Sequence, residues 1–75
     1  MINEHSSVVL TEPIPKSGLE AGDVGVVVHV HRGGEAYEVE FMTLDGETIG
    51  ISTLRADQVR QARADEIAHA RPMAS

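Results

Sequence analysis

The chain is 75 residues long, with a formal net charge of -6 and no cysteine. That length gives one domain near the lower limit for a self-sufficient core, and without cysteine neither a disulfide framework nor a thiolate metal site can reinforce it. Stability is left to apolar burial and sheet hydrogen bonds, with self-association as the remaining aid.

Met1-Ile2-Asn3-Glu4-His5 lacks the basic segment and apolar stretch of a signal peptide. The longest continuous apolar run, Val26-Val27-Val28, is far too short to span a bilayer. A cytoplasmic protein is the expectation. Ser7-Val8-Val9-Leu10-Thr11, apolar and β-branched, predicts a first strand. Glu12 to Gly18 cannot continue it, because Pro13 and Pro15 remove backbone donors and fix φ. This segment is expected to arch over one end of the fold, with Ile14 or Leu19 as its plug. Gly22-Asp23 predicts a turn, and Val24 to His31 a second strand in which Gly25 marks a bulge or tight bend.

Arg32-Gly33-Gly34-Glu35 is a strong hairpin signal, since adjacent glycines supply the positive φ of tight turns. The third strand, Ala36 to Met42, alternates cleanly: Tyr37, Val39 and Phe41 point one way, Glu38 and Glu40 the other. Thr43-Leu44-Asp45-Gly46 predicts the next hairpin. Glu47 to Thr53 predicts a fourth strand with Ile49 and Ile51 on one face and Gly50 and Ser52 opposite. Leu54 to Val59 reads as a helical or 3-10 turn leading into a short last strand, Val59 to Gln61. The expected architecture is all-β, a small barrel of about five antiparallel strands over residues 7–61. Residues 62–75 form a flexible or helical C-terminal tail: Ala62 to Ala70 favours helix, only Ile67 offers an apolar anchor, and Pro72 would stop it. Such a tail is expected to order only against a partner or a neighbouring copy.

The charge is unevenly spread. Met1 to Glu47 carries nine acids against Lys16 and Arg32, whereas Thr48 to Ser75 carries Asp57, Asp65 and Glu66 against Arg55, Arg60, Arg63 and Arg71. The acidic part would repel phosphate backbones, and acidity of this kind suits a basic protein partner.

The run Leu19 to Val30, with Ala36-Tyr37-Glu38-Val39-Glu40-Phe41, Leu44-Asp45-Gly46-Glu47-Thr48 and Leu54 to Val59, resembles a family of small bacterial proteins known as a domain of unknown function. The resemblance covers most of Ser7 to Arg60 and leaves out the tail after Gln61. It implies an SH3-like barrel, a stand-alone protein of this length and an antitoxin-like or accessory role, with no active-site residues to carry over. Gly22-Asp23-Val24-Gly25-Val26-Val27 is also similar, more weakly, to the KOW motif of ribosomal and transcription-factor barrels. The basic, aromatic RNA-binding surface of those proteins is missing: Glu38 and Glu40 occupy the equivalent face, and Tyr37 and Phe41 belong to the core face.

The candidate chemistries each have a blander reading. His29 and His31, two apart on one strand, could hold a metal with a third ligand from Glu38 or Glu40, but strand positions of this sort are usually a solvated face with imidazoles beside acids, and no metal or other cofactor is expected. Ser6, Ser7, Ser17, Ser52 and Ser75 have no partnered histidine and acid, and no glycine-rich loop is followed by the lysine and helix of a phosphate cradle, so no enzyme is expected. Recognition remains. The leading expectation is a protein-binding module, an antitoxin, immunity or accessory subunit, that covers a basic partner surface with Glu35, Glu38, Glu40, Asp45 and Glu47. The alternative is a nucleic-acid-binding barrel using Arg55, Arg60, Arg63 and Arg71, and a third is a homo-oligomer exchanging edges or tails.

Overall fold

The computed structural model describes residues 2–73. Its strands are β1 (Ser7–Leu10), β2 (Val24–His31), β3 (Ala36–Met42), β4 (Thr48–Arg55) and β5 (Val59–Gln61), with 3-10 turns at Pro15–Ser17 and Ala56–Gln58. All five strands pair antiparallel in one sheet of order β4-β3-β2-β1-β5. The fold is therefore all-β, as the alternating pattern requires. Hydrogen-bonded pairing does not close the sheet into a ring: β4 and β5 are its two edges, and the 3-10 turn at Ala56–Gln58 joins them.

Alternation within the strands builds the core. Tyr37, Val39 and Phe41 are buried, while Glu38 and Glu40 lie half-buried on the opposite face. Val8 and Leu10 of β1, Val27 of β2, Leu54 of β4 and Val59 of β5 join the same cluster. A single face drawn from all five strands can bury itself only if the sheet curls, which its right-handed twist favours. Leu19, 5% exposed, plugs one end, bridged to half-buried Ile14 across the first 3-10 turn. Among the described residues no polar or charged side chain is buried, so the core rests on apolar area alone.

Two bulges set which side chains face outward. The β2–β3 register shifts between Val27 and His29, leaving Val28 as the extra residue. Val27 and Val30 therefore both face the core, and His29 and His31 both face out. Gly25 is the place where β2 presses against the core: a Cβ there would lie 2.6 Å from Val39 Cγ1. The glycine thus provides close approach, and the bulge itself falls at Val28.

The second bulge corrects the reading of β4. Phe41 faces Gly50, Val39 faces Ser52 and Tyr37 faces Leu54, so Gly50, Ser52 and Leu54 share the inner face. Ile51 lies on the outer face, 58% exposed, opposite Glu40. Ile49 is the extra residue between Gly50 and Thr48, packed against the edge of the core. Ile49 and Ile51 therefore do not form one inner face. Leu54 decides the phase: it belongs to the strand, not to the following turn, and its burial forces Ser52 and Gly50 inward by the period of two.

Residues 62–73 form no helix. Ala62 extends the β1 ladder by one bond, its N–H donating to Ser7 O at 2.9 Å. A turn at residues 63–66 is fastened by Arg60, whose guanidinium meets Glu66 at 2.9 and 2.7 Å. Ile67, the supposed apolar anchor, is 94% exposed. A helix here would bury no apolar stripe, and isolated helices of this length are marginal in water. The tail lies instead against its own sheet, held by Arg71; Ala74 and Ser75 are outside the described residues, as is Met1.

Candidate functional site

The outward face of β2, β3 and β4 is organised in cross-strand rows. His29, Glu38 and Thr53 form one row, and Val26, Glu40 and Ile51 the next. His31 lies diagonally across from Glu38, and its Nε2 is 2.6 Å from Glu38 Oε2. Thr53 Oγ1 donates to the same carboxylate at 2.9 and 2.7 Å. These two neighbours, His31 first and Thr53 second, hold the Glu38 carboxyl below the usual glutamate range, against a small opposing effect of burial. His29 and His31 stack edge to face with ring centroids 4.7 Å apart, and His29 Nδ1 is 3.8 Å from Glu4. Thr48 Oγ1 donates to Glu40 at 2.8 Å.

The five acids expected to act together are spread along the whole length of β3. Glu38 and Glu40 stand side by side on its outer face, as the alternation requires. Glu35 lies in the turn before β3, whereas Asp45 and Glu47 lie in the hairpin after Met42, a strand length of about 20 Å away. The Asp45 carboxylate is turned into its own hairpin, accepting from Thr43 Oγ1 and from the Glu47 N–H. Those bonds, the Thr43 hydroxyl first, hold its carboxyl below the ordinary aspartate range. Glu38 and Glu40 are therefore the adjacent acids of this face, with Ile51 exposed opposite Glu40, Glu4 across His29 from Glu38, and Asp45 and Glu47 at the far end of β3. Among the described residues no three histidine or acidic side chains converge so as to hold a metal ion. No helix of the described residues is long and apolar enough to cross a membrane.

Three of the four C-terminal arginines pair with separate carboxylates. Arg55 pairs with Asp57 at 3.0 Å, Arg60 with Glu66, and Arg71 with Asp23. Glu66 is held down to about 2, first by the Arg60 guanidinium and then by the Arg63 N–H. The Asp23 carboxylate receives Arg71 Nε at 2.9 Å and Nη2 at 2.5 Å, and the Glu20 N–H at 2.8 Å. Arg71 lowers the Asp23 carboxyl, and that carboxylate in turn raises the guanidinium. Arg71 Nη2 also donates to Gly18 O at 3.0 Å, and Nη1 lies 3.6 Å from Glu20.

This second constellation, Gly18, Glu20, Asp23 and Arg71, was not among the expected site residues. Asp23 reads in the sequence as turn chemistry and Arg71 as one charge in a frayed tail. The pairing spans 48 residues, and no local pattern announces a contact of that range.

The model of a family described as a domain of unknown function (DUF4926) matches residues 4–61. No curated protein and no solved structure matches the chain. The matched span holds every strand and stops where the tail begins.

Proposed function

The chain belongs to this family of unknown function, and from its geometry we propose that it is a non-enzymatic protein-binding module acting in the cytoplasm, an antitoxin, immunity or accessory subunit that covers a basic surface of its partner. The observation that carries this reading is the outer sheet face: Glu38 and Glu40 side by side, Glu4 beside His29, and Ile51 58% exposed in the adjoining strand. An exposed apolar side chain beside carboxylates suits a partner that offers basic groups next to an apolar contact. The strand order, with a 3-10 turn before the last strand, supports taking the scaffold as an SH3-like barrel. Three of the four C-terminal arginines are paired with carboxylates, which favours a protein over a nucleic acid as partner.

The test is to isolate the partner with the tagged chain from its own host and measure the affinity of the purified pair against salt. Glu38→Lys with Glu40→Lys is expected to weaken the complex at least tenfold and flatten its salt dependence. An unchanged affinity and an unchanged salt slope would remove this face from the interface.

A further inference from the structure

A groove of about 460 Å³ runs between the β3–β4 hairpin and residues 68–73. Its lining is largely apolar, with Val24, Phe41, Met42 and Ile49, and it includes the acids Asp23, Asp45 and Glu47. The chain's own residues 68–73 form one wall of this groove. Among the described residues no backbone hydrogen bond ties residues 67–73 to the sheet. One side chain does the holding. The Arg71 fork is met by the Asp23 carboxylate, the Gly18 carbonyl and Glu20, and the Arg71 and Asp23 side chains are 22% and 18% exposed. A planar guanidinium received in the plane of a carboxylate and capped by a carbonyl is a specific arrangement, which the point charge of a lysine does not satisfy equally.

We propose that the sheet side of this groove, with Asp23 beside it, is a seat for an arginine-bearing segment of a partner protein, and that the chain's residues 68–73 cover it in cis as a displaceable competitor. The tail shows the chemistry that fits: an arginine on Asp23 beside the apolar side chains of Val24, Phe41, Met42 and Ile49. The surrounding acids favour a positively charged newcomer. The tail is retained by proximity, because a short tether holds its arginine at an effective concentration on the order of millimolar. A partner segment must outbid that concentration or arrive with contacts of its own. The proposal rests on the protein being a binding module and gives it an arginine-specific seat distinct from the Glu38–Glu40 face.

The test uses the full chain and a fluorescent peptide with the sequence of residues 62–73, followed by anisotropy. Arg71→Ala empties the seat and is expected to bind the peptide about tenfold more tightly than the wild type, since the tethered competitor is gone. The same peptide with glutamine in place of the arginine that corresponds to Arg71, its other arginine kept, should lose at least tenfold in affinity for this variant. Adding Asp23→Asn to Arg71→Ala should abolish the gain. Because Asp23 also accepts the Glu20 N–H, Glu20→Lys with Arg71→Ala provides a second version that repels the guanidinium and leaves that turn bond in place. Equal binding of the peptide by wild type and Arg71→Ala, or indifference to its arginine, would overturn the proposal. A wild-type dimer that Arg71→Ala dissolves in sedimentation would also overturn it, by seating the tail in a second copy. If the peptide fails while the partner complex still responds to Glu38→Lys with Glu40→Lys, the groove proposal falls and the binding-module reading stands.

Discussion

Replacing Gly25 by alanine adds one methyl group at the tightest point of the fold. The new Cβ would lie 2.6 Å from Val39 Cγ1, 2.9 Å from the Glu40 carbonyl oxygen and 2.9 Å from Phe41 Cε1. Val39 is 0% exposed and Phe41 3%, so neither has free space to yield into. The Glu40 oxygen belongs to the backbone of β3, where Glu40 pairs with Val26, and it cannot retreat without opening the ladder. Overpacking of this kind costs about 1–3 kcal/mol, and a backbone obstacle places the cost near the top of that range. Against it stands about 0.4–1 kcal/mol gained by restricting the unfolded chain. The clash wins, leaving a net loss of about 2 kcal/mol, which for a domain of this size lowers Tm by roughly 8–16 °C. Gly50→Ala is the matched control, because nothing lies within 4 Å of its added Cβ and its φ is ordinary. It should be neutral or slightly stabilising. Thermal unfolding followed by far-UV circular dichroism measures both. A Gly25→Ala protein that melts at or above the wild-type temperature would refute the packing of β2 on β3 described here.

Three further outcomes are expected. Leu54→Ala should cost about 2–5 kcal/mol in urea unfolding, whereas Ile51→Ser should stay within about 0.5 kcal/mol; the reverse order would show that β4 has the other phase. Because His31 is the larger and Thr53 the smaller cause of the lowered Glu38 carboxyl, His31→Ala should raise its titration midpoint, read by carbon NMR, more than Thr53→Ala does. Asp23 is lowered in the folded chain, chiefly by the Arg71 hydrogen bond, so its pairing contributes stability above the ordinary aspartate range. That contribution is lost as pH falls through the lower native value. The stability difference between wild type and Arg71→Ala should therefore be constant near neutrality and vanish in strong acid, and a difference that grew on acidification would contradict the pairing.

Much of the sheet was legible because its residues obey a local rule. The bounds of β2 and β3 follow from glycine-rich turns on either side, and the strict alternation of Tyr37-Glu38-Val39-Glu40-Phe41 gives the inner and outer faces directly. The outward placement of both histidines was also legible, although the Val28 bulge that produces it was not. β4 misled because its first apolar residues are the wrong guides. Ile49 sits at a bulge and Ile51 faces water, while the inner positions opposite Phe41 and Val39 are held by Gly50, which has no side chain, and Ser52, which has a small one. Hydrophobic pattern alone assigns the isoleucines inward; only the register imposed by Leu54 reverses them. The helical alternative for the tail fails for a different reason. Its helix-favouring composition is a local preference, and a single guanidinium–carboxylate pair spanning 48 residues outweighs it. The acids at Glu38 and Glu40 were legible as neighbours, but which carboxylates their own threonines and histidines engage is a matter of three-dimensional register.

The account turns on whether a protein partner lands on the carboxylate face. The most direct measurement is a titration of the nitrogen-15-labelled chain with its purified partner, with amide shifts mapped along the sheet. The account predicts the largest changes at Glu38, Glu40, Ile51 and Thr53, diminishing as salt is raised. Shifts confined to Arg55, Arg60 and Arg63, or a complex indifferent to salt, would contradict it.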